Sequence, residues 1–143
     1  MPFSASETWV GLGLEEVGAI GRIVIDPVNP QRIFVAAMGE LWAGGPHRGV
    51  YRSEDGGQSW QLVLQLGETT GCVDLILRPD QPRTVLAAMW QRIRTPERYD
   101  YGGPDCAVWR TDDGGDTWNQ AAGGLPTPGS DGVITMPSRT SSD

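Results

Sequence analysis

The chain has 143 residues, among them 20 Gly, 11 Pro and six Trp, and a formal net charge of −7. That length suits one ordinary domain, and the acidic balance argues against a nucleic-acid partner. No apolar run approaches membrane-spanning length, and Met1 to Trp9 lacks the basic start and apolar core of a signal peptide. Many turn residues between short apolar runs predict an all-β protein.

Taken in order, residues 1–21 read as a leading segment and a connector. Thr8-Trp9-Val10 has the look of a strand that closes a preceding unit, and Gly11 to Gly21 connects it onward. Residues 22–65 form a first four-stranded unit. Its strand A is expected at 22–26, ended by Pro27 and Pro30, which lack the N–H that a ladder needs. Strand B is expected at 32–38, a loop at 39–48, strand C at 49–53 and strand D at 59–65. Residues 66–121 repeat the plan, with strands at 73–78, 84–90, 106–111 and 117–121. A longer loop, 91–105, carries Arg92, Arg94, Arg98, Tyr99 and Tyr101. The tail 122–143 is rich in Gly, Pro, Ser, Thr and Asp and is expected to be disordered or truncated.

Two internal repeats support this division. Arg52-Ser53-Glu54-Asp55-Gly56-Gly57-Gln58-Ser59-Trp60 recurs as Arg110-Thr111-Asp112-Asp113-Gly114-Gly115-Asp116-Thr117-Trp118, 58 positions later. Ile23 to Ala36 aligns without gaps on Leu75 to Ala88, 52 positions later. The difference between the two offsets is taken up in the longer loop 91–105. Each nine-residue motif reads as a tight turn between strands C and D. Asp55 and Asp113 accept backbone N–H groups ahead of them, and Gly57 and Gly115 permit positive φ. Trp60 and Trp118 pin the turn to the sheet. Ser53 and Thr111 complete the structural set.

Calcium is the rival reading of these acidic turns. An EF-hand loop needs a carboxylate at its twelfth position. That position is Leu66 counted from Asp55, Gly123 from Asp112 and Gly124 from Asp113. No metal site and no cofactor is assigned. Cys72 and Cys106 fall on the first and third strands of the second unit. Two strand spacings, roughly 9.5 Å, exceed ordinary disulfide reach, so free thiols are expected.

The motifs resemble the Asp-box, or bacterial neuraminidase repeat, β-propellers. They are most similar to the bacterial group related to the sortilin luminal domain and to xyloglucan-degrading glycosidases. The resemblance rests on the two turns, on Ile25-Asp26-Pro27-Val28-Asn29-Pro30, on Arg48-Gly49-Val50-Tyr51-Arg52-Ser53 and on Ala87-Ala88-Met89-Trp90-Gln91. It implies two four-stranded antiparallel blades, plus one strand of a preceding blade, of an incomplete propeller. It also implies a secreted or cell-envelope setting.

In that layout the B–C loops and D–A connectors share one face, which gathers Trp42, His47, Arg48, Trp90, Arg92, Arg94, Tyr99 and Tyr101. Aromatics with arginines suit a glycan or peptide ligand; the bland alternative is packing between blades and a solvated loop. No catalytic residue is assigned. A glycosidase needs two carboxylates roughly 5–10 Å apart across a cleft, and nothing in the sequence pairs Glu40, Glu68, Glu97, Asp100 and Asp105.

The reading is a binding or scaffold module belonging to a larger protein. The alternative is part of a propeller glycoside hydrolase, sialidase-like or xyloglucanase-like. The partners expected are the remaining blades of a parent propeller, or further copies of the chain closing a ring by self-association.

Overall fold

The computed structural model describes residues 8–121, apart from the side chain of Asp100. Among the described residues there is no helix; every regular element is a strand. The first sheet is β1 (Ile20–Ile25), β2 (Ile33–Ala37), β3 (Gly49–Ser53) and β4 (Gln61–Leu64), paired in that order. The second is β5 (Thr70–Leu77), β6 (Val85–Gln91), β9 (Ala107–Thr111) and β10 (Asn119–Gln120), also in chain order once an excursion is set aside. That excursion is a two-stranded hairpin, β7 (Ile93–Thr95) and β8 (Arg98–Asp100). All pairings are antiparallel.

Three expectations are corrected. Residues 91–105 are not a plain loop: Arg94 pairs with Tyr99 and Thr95 with Arg98 across the hairpin. Strands β1 and β5 each begin earlier than the apolar runs suggested, because bulges at Ile20/Arg22 and at Cys72/Asp74 let pairing continue past an irregular residue. Thr8-Trp9-Val10 forms no strand; a strand needs a ladder partner, and Trp9 is 97% exposed. The expected tail 122–143 lies outside the described residues.

The two sheets pack face to face. Alternation along each strand sends Val24, Phe34, Ala36 and Val50 of the first blade inward, where they meet Cys72, Leu75, Val85, Ala87 and Met89 of the second. Phe34 is fully buried at the centre. Near the inner strands the backbones almost touch: a Cβ on Gly71 would lie 2.4 Å from the Met38 carbonyl oxygen, so only glycine fits. The opposite face of the first blade is partly covered by the connector, whose Leu14 and Val17 pack with Val35, Ala37 and Tyr51. Cys72 and Cys106 are buried free thiols, and burial pushes the Cys72 thiol up to about 12.

The repeated turns have nearly identical hydrogen bonding. Ser53 Oγ donates to Asp55 Oδ1 at 2.7 Å and accepts from the Gly57 N–H at 2.8 Å. The Asp55 carboxylate also accepts from Ser59 N–H at 2.9 Å and Ser59 Oγ at 2.6 Å. Thr111, Asp113 and Thr117 reproduce this set, with 2.7 Å, 2.9 Å and 2.5 Å to the carboxylate. Each carboxylate is thus occupied by its own turn. The second turn also holds the blades together. Arg52 crosses to donate to Gly114 O and Asp116 Oδ1, both at 2.8 Å, and the Gly115 Cα sits against the Phe34 ring. On the inner strands Arg22 Nε meets Asp74 Oδ1 at 2.7 Å.

Truncating Phe34 to Ala should cost about 3–5 kcal/mol in chemical denaturation, because the cavity lies at the centre of the interface between blades. Val28→Ala, at a site 76% exposed, should shift stability by no more than about 0.5 kcal/mol. Hydrogen bonds from Ser59 and Ser53 hold the Asp55 carboxyl down to about 2 from 3.8. A carboxyl with a depressed folded-state pKa adds stability that is complete above the unfolded value and lost as pH falls through the folded one. Acid unfolding followed by Trp fluorescence should therefore show stability falling between pH 3.8 and about 2. Asp55→Asn should be less stable at neutral pH and show a shallower fall in that window.

Candidate functional site

The face opposite the turns is built from three connections: 38–48 between β2 and β3, 65–69 between β4 and β5, and 92–106, which includes the hairpin, between β6 and β9. Backbone bonds tie them together. Gly45 N–H donates to Glu68 O at 2.9 Å, Arg92 N–H to Thr69 O at 2.8 Å and Arg94 N–H to Leu41 O at 2.9 Å.

Arg48 stands at the centre of this junction and is only 2% exposed. Its guanidinium donates to Thr69 O at 3.2 Å, Arg92 O at 2.7 Å and Ala43 O at 2.8 Å, and also to Glu40 O. Four carbonyls from three loops thus converge on one fork of donors, a geometry that an ammonium cannot match. Desolvation, with the nearby Arg92 charge second, lowers its pKa from the ordinary arginine value. Arg48 organises the face from beneath and does not present its charge to solvent.

His47 makes none of the ring or cation–π contacts that link the other expected residues. Its Nδ1 is 3.3 Å from the Tyr51 hydroxyl. With Glu16, Val17 and Glu40 it borders a cavity of about 150 Å³.

The other six expected residues come together as a strip. Arg94 lies over the Trp42 ring at 5.6 Å and over the Tyr99 ring at 5.3 Å. Tyr99 stacks on Tyr101 at 6.1 Å between centroids, and Tyr101 is 6.3 Å from Trp90. Arg92 covers Trp90 at 4.9 Å, and Trp90 Nε1 donates to Tyr101 O at 3.1 Å. The order along the surface is Trp42, Arg94, Tyr99, Tyr101, Trp90, Arg92. The hairpin makes this possible: Tyr99 and Tyr101 are two positions apart on one edge, and Arg94 pairs across from Tyr99. Trp42 is 63% exposed, Tyr99 61% and Tyr101 48%. Such a strip offers flat apolar rings flanked by two guanidinium groups, which suits stacking plus hydrogen bonding to hydroxyl or carboxylate groups.

The carboxyls with clearly displaced pKa values are Asp55, Asp74, Asp80, Asp112 and Asp113, and all are displaced downward. Hydrogen bonds from hydroxyls or arginines keep them ionised, and they serve turns and ion pairs. Among the described residues no cluster of three or more His, Cys, Asp or Glu is arranged to hold a metal ion.

Two antiparallel four-stranded sheets, each in chain order and packed face to face, are β-propeller blades. The solved structures similar to the chain share that fold. An ancestral GH74 enzyme matches with a TM-score of 0.53 at 21% identity, covering 73% of this chain and 13% of that one. The GH74 enzyme of Niastella koreensis gives 0.51 at 22%, covering 71% and 14%. The GH74 xyloglucanase from Xanthomonas campestris gives 0.53 at 20%, covering 80% and 15%. The chain therefore spans about one seventh of the length of these enzymes. No protein-family model matches it, and no curated protein matches it.

Replacing Arg48 by Met should cost about 3 kcal/mol or more, since four carbonyls lose their donor at once. Amide exchange at Gly45 and Arg92 should accelerate with it. Arg48→Lys should recover only part of the loss.

Proposed function

We propose that the chain supplies two blades of an Asp-box propeller of the sortilin-like and xyloglucanase-like group, and that its loop face binds a glycan. The observation that carries this reading is the continuous strip from Trp42 to Arg92, in which Trp42, Arg94, Tyr99 and Tyr101 are exposed and Trp90 and Arg92 half-buried. Aromatic side chains left exposed in a row, and held there by cation–π pairing and a dedicated hairpin, forgo burial that a purely structural role would favour. The repeated turns with their saturated aspartates support the Asp-box assignment. A secreted or envelope location fits such a ligand.

The ligand class proposed is a glucan-backbone oligosaccharide such as a xyloglucan fragment, which the similarity to a GH74 xyloglucanase makes the first to test. The role is binding or scaffolding. The second reading, part of a glycoside hydrolase, draws on the same similarity; its catalytic carboxylates would come from blades outside this chain.

Titration calorimetry of the full chain with xyloglucan oligosaccharides should show binding that weakens about tenfold or more in Tyr99→Ala and in Trp42→Ala, a loss of about 1.4 kcal/mol or more. Asp80→Asn, on the opposite face, should leave binding unchanged. No release of reducing sugar is expected from the chain alone. A folded chain that binds none of a panel of plant and bacterial glycans would overturn the reading.

A further inference from the structure

The two outer faces of the blade pair are repeats of the two surfaces that meet inside it. Phe34, Ala36 and Val50 face the second blade. Their repeat counterparts Leu86, Ala88 and Val108 lie on the outer side of that blade, beside Ile76, which is 60% exposed. Conversely, Leu75, Val85 and Ala87 receive the first blade. Their counterparts Ile23, Ile33 and Val35 line an open apolar groove of about 320 Å³ on the outer side of the first blade. Trp60 lines that groove at the position where Trp118 packs into the closed interface.

The polar contacts repeat as well. Arg52 reaches Gly114 O and Asp116 across the closed interface. Its counterpart Arg110 has no such turn to reach and folds back onto Asp112 at 2.9 Å. The acceptors equivalent to Gly114 O and Asp116 are Gly56 O and Gln58, in the turn that leads to Trp60. Arg22 and Asp74 occupy the same repeat position with opposite charges and pair with each other across the closed interface.

We propose that the occupant of the groove is a second copy of this chain. Blade two of one copy seats on blade one of the next through the same kind of sheet-to-sheet interface; Leu86 enters the groove and displaces the side chain of Leu12, which lies against Gly57 in the single chain as Phe34 lies against Gly115. Arg110 swings from Asp112 to Gly56 O and Gln58 of the neighbour. The contact is head to tail, so it propagates until a ring closes. Propellers close at about four to eight blades, and the upper part of that range, about six to eight blades, corresponds to about three or four chains. The proposal rests on the blade repeat and is independent of the glycan reading.

The test is the solution mass of the full chain by light scattering, with two variants at exposed positions on opposite outer faces, Ile23→Asp and Ile76→Asp. The wild-type chain is expected to give one discrete species of about three or four copies. Each variant alone is expected to be monomeric with an unchanged circular dichroism spectrum. Mixed, they are expected to form a one-to-one dimer and nothing larger, because the pair retains a single intact interface. A folded monomeric wild type would overturn the proposal. An oligomer indifferent to both variants, or variants that fold but do not pair, would overturn it equally.

Discussion

A four-stranded sheet has two faces and can cover neither by itself; the rest of this structure follows from that constraint. One face of each blade is satisfied by the other blade, with Phe34 at the centre. The packing is close enough that backbone meets backbone at Gly71 and Met38. Directional contacts then set how one sheet sits on the other: Arg52 on the second turn at the rim, and Arg22 on Asp74 at the inner strands. Burial supplies the driving force, and these polar contacts restrict it to one arrangement.

The division of labour between the two ends of each blade has a chemical basis. At the turn end, every strong acceptor is already taken: the Asp55 and Asp113 carboxylates are filled by hydroxyl and amide donors from their own turns. Carboxylates so engaged are poor candidates for ligands or acid catalysis. At the loop end the engaged group is Arg48, whose two terminal nitrogens tie three loops from beneath. With their backbones held, these loops display large side chains outward at little further cost in ordering. The rings of Trp42, Tyr99 and Tyr101 are exposed because the scaffold below them is complete without them.

Much of the fold was legible because repetition is visible in the amino-acid order. Two gapless offsets, 52 and 58, located eight strands and both turns to within a few residues. What escaped was irregular. The β7–β8 hairpin has only three residues per strand, mostly polar, around Pro96 and Glu97; runs that short carry no readable alternation. The early starts of β1 and β5 depend on bulges, which are properties of a strand and its neighbour together. Of the loop-face residues, the types were legible and the grouping was not. Nothing in the order of residues distinguishes Arg48, spent on carbonyls, from Arg92 and Arg94, which lie over aromatic rings.

Sequence by itself determined the strand class, the blade count and the turn chemistry, because these rest on local rules: alternation, φ restriction at Gly and Pro, and short-range acceptance of hydrogen bonds by Asp. Tertiary structure alone decided which face of each sheet is covered, which arginines are buried and which displayed, and that six scattered side chains form one strip. Those outcomes depend on residues that lie tens of positions apart in the chain, and only the packing of one sheet on another brings them within contact distance.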